Sequence, residues 1–530
     1  MLLDLPGDLI CDIWELGQLG VSEAMAIRAV SRGLYLATEN VPFWHVVARV
    51  LHASVHPLPI PPFRALHSMS LVELKEICLK HHRIHDNLLQ PKPVLREDKV
   101  LRPSHSSSVN RGIYHFAFLP GGRHVLIMSV VGRVTCMDIE RKVSGYGDSE
   151  EGGVVGHVLA SHQSKLKPLM WNFCADGEEV LIAVYGTVHE SLGMQELQIL
   201  RLTLPTDTSA DTAKMEMLFT INVRLPYGGI DINSDRVIVI GSAEISSNDV
   251  LILLVNIPGK RCVFMDTGIH EGKTCINYDA FLVPDGSFIL FSEGGTDAMV
   301  HIYNNIQAIL DRHAQPVEAF RWHNARLSIP PDGTRRLDFA ESCHIKDQHR
   351  WYTVHPWNTP NVLTKGLIPI FTTSEYNTEH GEEDGGTTKQ RTVTHMWLDP
   401  LALATYMRKN ETSTTPLVLR RVTFNIDLPI SRSLDGQELI VPGYCGTHFV
   451  WIAPTQEGED TGKMWLRTLP LATAPESMER VQDPVILSTD VDLSEVDALD
   501  LCEEMGIIAL ARREDLENED RTRNVRLLYY

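Results

Sequence analysis

One short phrase recurs along most of this chain and limits its possible folds more than any other feature. An apolar strand, a turn of Gly, Asp or Pro, and a second apolar strand follow one another, as in "FLPGGRHVLIMS" and "FCADGEEVLIAVYG". Further copies read "IDINSDRVIVIGS", "FLVPDGSFILFSEGG" and "SLDGQELIVPGYCG". The turn positions Gly122, Gly177, Asp235, Gly286 and Gly436 are separated by 55, 58, 51 and 150 residues. Three similar spacings indicate a repeat, and the longest leaves room for one or two weaker units.

A repeat of this length made of short strands predicts a β-propeller, because each four-stranded blade buries its two faces against neighbouring blades. Weaker units around "GLIPIFTTS" and "GIIALAR" make seven blades the best count, with six and eight as alternatives. We expect the propeller to occupy residues 109–530 and to carry a flexible, polar insert at about 375–391. We also expect the final strand, "VRLLYY", to pair within the ring and close it.

The first part of the chain has the apolar spacing of helices. Leu9, Ile13 and Leu16 fall on one face of a first helix, which begins just after Pro6. Ser22 is the predicted N-cap of a second helix. Such short helices bury their own apolar faces poorly, so they need a neighbour. We assign residues 1–52 to this helical module.

A separate helix follows the module. Ser70 and Glu73, three residues apart, form the pattern of a capping box and predict a helix over about 70–89. We assign residues 53–108 to a linker that contains this helix. The predicted fold class is therefore multidomain, α plus all-β, with a small helical module followed by a propeller.

The composition excludes several function classes. The net charge of -20 argues against binding to nucleic acid or to a membrane surface, because both depend on clustered Lys and Arg. The nine cysteines are scattered, which is typical of reduced thiols in an intracellular protein of the cytoplasm or nucleus. The start of the chain has the pattern of neither a signal peptide nor a membrane anchor.

Motifs for catalysis, cofactors and metals are incomplete. "TGIHEGKT", Thr267 to Thr274, resembles a phosphate loop but has Thr267 where the first glycine is required. The predicted 70–89 helix carries four side chains at spacings that could offer metal ligands, without the second pair that a closed zinc site needs; they are Cys78, His81, His82 and His85. We therefore predict no catalytic residue, no cofactor and no metal site.

The residues of the helical module, in their order and spacing, resemble the F-box family over residues 4–48. The family's phrase is Leu-Pro, an apolar first helix, a second helix rich in Leu, a short Val-Ser-Arg element and a late Trp. The matching positions here are Leu5, Pro6, Leu9, Ile10, Ile13, Leu16, Ile27, Val30, Ser31, Arg32 and Trp44. The later part of the chain is similar in outline to fungal F-box proteins with WD-repeat-like propellers.

This resemblance implies a function. F-box proteins bind the Skp adaptor, and through it a cullin scaffold, while their other domain holds a protein substrate of a ubiquitin ligase. By resemblance, the adaptor contacts are Leu5, Pro6, Leu9, Ile13, Leu16, Ile27, Val30 and Trp44. Such a receptor makes no bond itself and is not an enzyme.

Two other readings of the chain remain open. Ser22 to Met25 stand where the family has an acidic residue and two leucines, which permits an F-box-like scaffold that works outside a ligase. A propeller enzyme would need clustered His, Asp or Glu with perturbed acidity at the channel mouth. The sequence does not identify the substrate or the face of the propeller that binds it.

Overall fold

The chain is described by a computed structural model. The described residues are 6–52, 58–60, 64–101, 113–142, 154–176, 179–189, 194–205, 213–225, 229–244, 247–270, 275–283, 286–294, 297–322, 326–337, 349–353, 368–379, 387–398, 418–426, 440–442, 448–453, 463–468, 485–487, 489, 491, 493, 496–512 and 525–530.

Six α-helices lie in the described residues, five of them before the first strand. Their bounds are α1 Gly7–Gly17, α2 Val21–Val30, α3 Arg32–Thr38, α4 Val41–His52, α5 Leu71–Leu88 and α6 Ile306–His313. The capping box of α5 is confirmed, because the Ser70 hydroxyl accepts from the Glu73 amide and the Glu73 carboxylate accepts from the Ser70 amide. Gly20, and not Ser22, is the N-cap of α2.

The rest of the described chain is mainly antiparallel strands. In chain order they are β1 Glu97–Leu101, β2 Ile113–Phe118, β3 His124–Ser129, β4 Arg133–Lys142, β5 Val154–Gln163, β6 Lys167–Asp176, β7 Glu179–His189, β8 Met194–Thr203, β9 Lys214–Val223, β10 Ile230–Ile232, β11 Arg236–Glu244, β12 Ser247–Asn256, β13 Arg261–His270, β14 Cys275–Leu282, β15 Phe288–Gly294, β16 Asp297–Tyr303, β17 Gln315–Pro316, β18 Arg326–Ser328, β19 Gly333–Leu337, β20 His349–Thr353, β21 Ile368–Glu379, β22 Thr387–Leu398, β23 Val418–Ile426, β24 Ile440–Pro442, β25 His448–Ala453, β26 Lys463–Thr468, β27 Val485–Leu487, β28 Val496–Cys502, β29 Ile507–Arg512 and β30 Val525–Tyr529.

These strands form a series of four-stranded antiparallel groups, which we number in chain order. The groups are sheet 1 (β2, β3, β4, β5), sheet 2 (β6, β7, β8, β9), sheet 3 (β10, β11, β12, β13), sheet 4 (β14, β15, β16, β19), sheet 5 (β20, β21, β22, β23), sheet 6 (β24, β25, β26, β27) and sheet 7 (β28, β29, β30, β1). Strands β17 and β18 add to β13 at the edge of sheet 3.

In the described residues, five pairs of neighbouring sheets share a buried apolar core. Sheets 1 and 2 share one buried apolar cluster, as do sheets 2 and 3, sheets 3 and 4, and sheets 6 and 7. Sheet 7 also shares a buried cluster with sheet 1. Packing in chain order, with contact between the last sheet and the first, is the arrangement of a β-propeller.

The ring is closed by strands from distant parts of the sequence. Strand β1 pairs antiparallel with β30 from Glu97 opposite Tyr529 to Leu101 opposite Val525, and it touches β5 in parallel. The predicted pairing of the last strand is thereby confirmed. Residues 97–101, which sequence reasoning placed in the linker, are instead a strand of sheet 7.

Helix α5 joins the helical module to the sheets. Leu74 and Cys78, in its first half, belong to the buried core of the helical module. Ile84 and Leu88, in its second half, belong to the core that sheets 6 and 7 share. Lys80 adds an ion pair of 3.3 Å with Glu140 of β4. Among the described residues, α5 therefore contacts both the helical module and the propeller.

The predicted flexible insert at 375–391 overlaps two paired strands in the described residues. Strands β21 and β22 continue through most of it, with Glu375 opposite Arg391 and Glu379 opposite Thr387. Within this segment, residues 380–386 lie outside the described residues. The segment is rich in threonine, and β-branched residues fit a pleated strand even where the composition is polar.

Candidate functional site

Helix α1 carries apolar side chains on two of its faces. Ile10 and Trp14, four residues apart, are buried in the core of the helical module. Leu9, Ile13 and Leu16 lie on the other face and are 45%, 48% and 86% exposed. A helix that only needed to pack on its own module would have polar residues at these three positions. The exposed face of α1 is therefore a candidate site for a partner.

More exposed apolar side chains lie on the next two helices. Val30, at the end of α2, is 74% exposed, and Met25 and Leu36 are also exposed. Ile27 is half-buried and packs against the core. Met25, Val30 and Leu36 therefore extend the exposed apolar side chains of α1 onto α2 and α3. Met25 lies in the segment, Ser22 to Met25, that stands where the F-box family has an acidic residue and two leucines.

Of the two predicted adaptor contacts at the start of the module, Leu5 and Pro6, the structure describes one. Pro6 is exposed directly before the first turn of α1. Leu5 lies outside the described residues. Pro6 has the extended backbone of an N-cap residue, with φ of -55° and ψ of 144°. It therefore sets the direction in which the chain enters α1 and leaves its ring available for contact.

The predicted contact at Trp44 needs a correction. Its side chain has no exposed surface, and its ring stands edge-on to Phe43 with centroids 6.0 Å apart. Arg28 of α2 and Lys75 of α5 lie over the Trp44 ring, so this ring fills the space between α4 and those two helices. In this structure Trp44 is a core residue that supports the helical module and presents no atom to a partner.

Arg28 organises this core although sequence reasoning did not select it. Its guanidinium lies 4.3 Å from the Tyr35 ring centroid and 5.5 Å from that of Trp44, and it forms an ion pair with Glu39. Lys75 of α5 also pairs with Glu39, and this hydrogen bond holds the pKa of the carboxyl below its usual range. One buried arginine thus ties α2 to α3, and through Glu39 to α5.

The exposed face of α1 is acidic between its apolar residues. Asp8, Asp12 and Glu15 are exposed on the same helix, and Glu15 pairs with Arg49 of α4 at 2.6 Å. Burial, followed by the charges of Asp8 and Asp12, raises the pKa of the Cys11 thiol. A partner for this face should therefore combine an apolar groove with a neutral or basic rim.

The other sequence motifs do not form a site in the described residues. Strand β14 follows the phosphate-loop-like segment, and Lys273 lies outside the described residues. Cys78 is packed in the helical core, while His85 faces the sheet 6 junction, where burial lowers its pKa to about 4. Across the described ranges, no three metal-ligating side chains come together, and no helix is long and apolar enough to cross a membrane.

Comparisons with known proteins give matches among solved structures alone. No protein-family model matches the chain, and no curated protein matches it in sequence. Among solved structures, the chain is similar to the β-propeller domain of Swd1 from Myceliophteria thermophila, at 8% identity and a TM-score of 0.39 over 82% of this chain and 99% of that one. It is also similar to the WD40 domain of SCAP from fission yeast, at 10% identity and a TM-score of 0.35 over 79% and 82%. The C-terminal WD40 domain of Sif2 matches at 9% identity and a TM-score of 0.34 over 82% and 98%.

Proposed function

We propose that this protein is a substrate receptor of a Skp-cullin-F-box ubiquitin ligase. In this proposal the segment from α1 to α4 is an F-box that docks the Skp adaptor, and a propeller of seven blades binds a protein substrate. Intracellular action, in the cytoplasm or nucleus, belongs to the same proposal. The chain itself has no catalytic role in it.

The observation that carries the proposal is the outward face of α1. Leu9, Ile13 and Leu16 are exposed although Ile10 and Trp14 already supply the core contacts of this helix. Burying one such side chain stabilises a complex by roughly 1.5–3 kcal/mol before the costs of association. An adaptor that offers a groove to this helix would therefore gain affinity from residues that the chain does not need for folding.

The arrangement of sheets supports the second half of the proposal. The described strands make seven four-stranded groups, and the seventh group contacts the first. Helix α5 is embedded in both the helical module and the core of sheets 6 and 7. A substrate held on the propeller would then keep a fixed position relative to the adaptor, as transfer of ubiquitin requires.

The test is co-purification of the full chain with a Skp adaptor and a cullin. Leu9→Asp with Ile13→Asp is expected to weaken adaptor binding at least about tenfold. The matched control is Val72→Asp with Val94→Asp, which adds the same two charges at exposed apolar positions outside α1. The control should bind as the wild type does, and thermal unfolding should show that both variants are folded.

Three results would decide against the proposal or narrow it. If the folded wild type does not bind the adaptor, the receptor function is wrong. If the two α1 substitutions leave adaptor binding unchanged, the contacts are not on this face. If the adaptor binds but no cullin joins the complex, the protein is an F-box-like scaffold outside a ligase.

A further inference from the structure

The two ends of sheet 1 differ in their neighbours and in their exposed side chains. Helix α5 reaches sheet 1 at the end where His124 pairs with Asp138, because Lys80 contacts Glu140 there. The turn between β3 and β4 is at the other end of the same hairpin. It presents Val130 and Val131, which are exposed large apolar residues. This second end is therefore remote from the helical module.

Sheet 2 adds exposed residues at the same end. Gln163 donates a 2.9 Å hydrogen bond to the Val131 carbonyl oxygen, which joins the β3–β4 turn to the loop between β5 and β6. That loop exposes Lys165, and Lys167 and Leu169 are exposed at the start of β6. Leu169 occupies a β-bulge, where one strand carries an extra residue and its side chain is aimed away from the regular sheet.

Arg224 completes this surface from the last strand of sheet 2. It follows Val223, which pairs with Gln195 near the start of β8. The next residue, Leu225, is fixed because its amide donates to the Tyr185 hydroxyl and to Gln195, both at 2.9 Å. Arg224 is exposed beside this anchor. We define the Val130 surface as Val130, Val131, Lys165, Lys167, Leu169 and Arg224.

The surface is held in one shape by close backbone contacts. Gly132 has φ of +76°, and a Cβ atom there would lie 2.1 Å from the Leu166 carbonyl oxygen. A Cβ atom on Gly186 would lie 2.4 Å from the Lys167 carbonyl oxygen. Only glycine permits these approaches. The loops therefore present their side chains on a preformed platform, which reduces the entropy lost when a partner binds.

The charge of the Val130 surface is opposite to that of the whole chain. Three of its six members are Lys or Arg, whereas the protein carries a net charge of -20. Glu196 is a described acidic side chain on the same end of sheet 2, and it accepts a 2.7 Å hydrogen bond from Gln198. A local basic surface on an acidic protein attracts acidic partners and repels basic ones.

We propose that the Val130 surface binds an extended acidic segment of a partner protein in which apolar side chains alternate with Asp or Glu. The apolar side chains would cover Val130, Val131 and Leu169, and the carboxylates would lie against Lys165, Lys167 and Arg224. The segment's role as a substrate rests on the proposed receptor function. The binding itself does not, because this surface is remote from α1.

The test is a selection of peptides from a random displayed library on the immobilised full-length chain. The selected peptides should be enriched in Asp and Glu beside Leu, Ile or Phe. Lys165→Glu with Lys167→Glu should weaken their binding at least about tenfold, and Leu169→Glu should weaken it about as much. The matched control is Lys92→Glu with Lys260→Glu, two exposed lysines outside the surface, which should change affinity by less than about twofold.

The inference is overturned if no peptide is selected, if the selected peptides are basic, or if the two surface variants bind them as well as the control does. Every variant is also tested for binding to the Skp adaptor. If the wild type binds the selected peptides but does not bind the Skp adaptor, the receptor function alone is wrong. If the wild type binds the adaptor but no peptide, the binding proposed for the Val130 surface alone is wrong.

Discussion

The Oδ2 atom of Asp500, in sheet 7, accepts a 3.0 Å hydrogen bond from the backbone amide of Phe118, in sheet 1. The same relationship recurs between sheets 3 and 4, where Asp231 accepts a 2.7 Å bond from the Leu282 amide. In each case a carboxylate on the first strand of one sheet binds the backbone of the first strand of the next. These bonds fix the offset between sheets, which apolar packing alone leaves adjustable.

Asp231→Ala should destabilise the protein because it leaves the buried Leu282 amide without its acceptor. We expect the free energy of unfolding to fall by about 1–3 kcal/mol. Urea denaturation followed by circular dichroism measures the change. Asp235→Ala is the control, since Asp235 is exposed on the neighbouring turn. Equal effects of the two substitutions would mean that the bond between sheets contributes nothing.

Glu504 makes the stability of the junction between sheets 7 and 1 depend on pH. Its buried carboxylate accepts a hydrogen bond from the Gly121 amide, and burial raises its pKa from 4.5 to about 8. The folded state therefore keeps a proton that the unfolded state loses, so this group's stabilisation is present below pH 4.5 and disappears as the pH rises to about 8. Burial raises the pKa of Asp500 to about 6, which acts in the same direction over a lower range.

Glu504→Gln should remove this contribution while its side-chain oxygen still accepts from Gly121. The wild type should lose more stability than the variant as the pH rises through the window from 4.5 to about 8. Urea denaturation across that window, at constant ionic strength, gives both curves. Parallel curves would show that Glu504 titrates alike in the folded and unfolded chain.

The two faces of α1 should respond differently to truncation. Trp14 is 2% exposed and stands edge-on to Phe43 with centroids 5.0 Å apart, whereas Leu16 is 86% exposed. Trp14→Ala should lower the free energy of unfolding of the helical module by about 3–5 kcal/mol. Leu16→Ala should change it by less than about 0.5 kcal/mol. Thermal unfolding compares them, and similar losses would place Leu16 in the core.

The sequence predicted part of this architecture for clear physical reasons. Strands β3 and β4 and the capping box at Ser70 depend on local spacing and turn chemistry, which a single sequence contains. The sequence alone could not show which face of α1 is buried, because Ile10 with Trp14 and Leu9 with Ile13 have the same four-residue spacing. Trp44 was predicted as an adaptor contact and is buried, because helical periodicity shows which residues share a face but not which element covers that face.

Strand β1 was missed because its partners are far away in the sequence. "EDKVL", Glu97–Leu101, is short and mostly polar, so its composition resembles a linker. Its strand state comes from pairing with β30 and from the ion pair between Asp98 and Arg526, which are 428 residues apart. The Val130 surface was missed for the same reason, because separate turns and strand ends create it and none has a distinctive pattern.

The closure of the ring by β1 leads to a prediction about Leu101. This side chain is 1% exposed in the core that sheets 1 and 7 share, at the end of the strand that joins them. Leu101→Ala should lower the free energy of unfolding by about 2–4 kcal/mol. Because β1 is the strand through which β30 is linked to β5, backbone amides of β30 should also exchange faster with deuterium than those of sheet 3.

Val94→Ala is the matched control for Leu101→Ala. Val94 precedes β1 and is 63% exposed, so its truncation should leave both stability and exchange near wild-type values. If Leu101→Ala speeds exchange equally in sheets 3 and 7, the ring unfolds as one unit and β1 has no special part in closing it. Selective loss of protection in β30 and β5 is the expected result, since these two strands pair with β1 on either side.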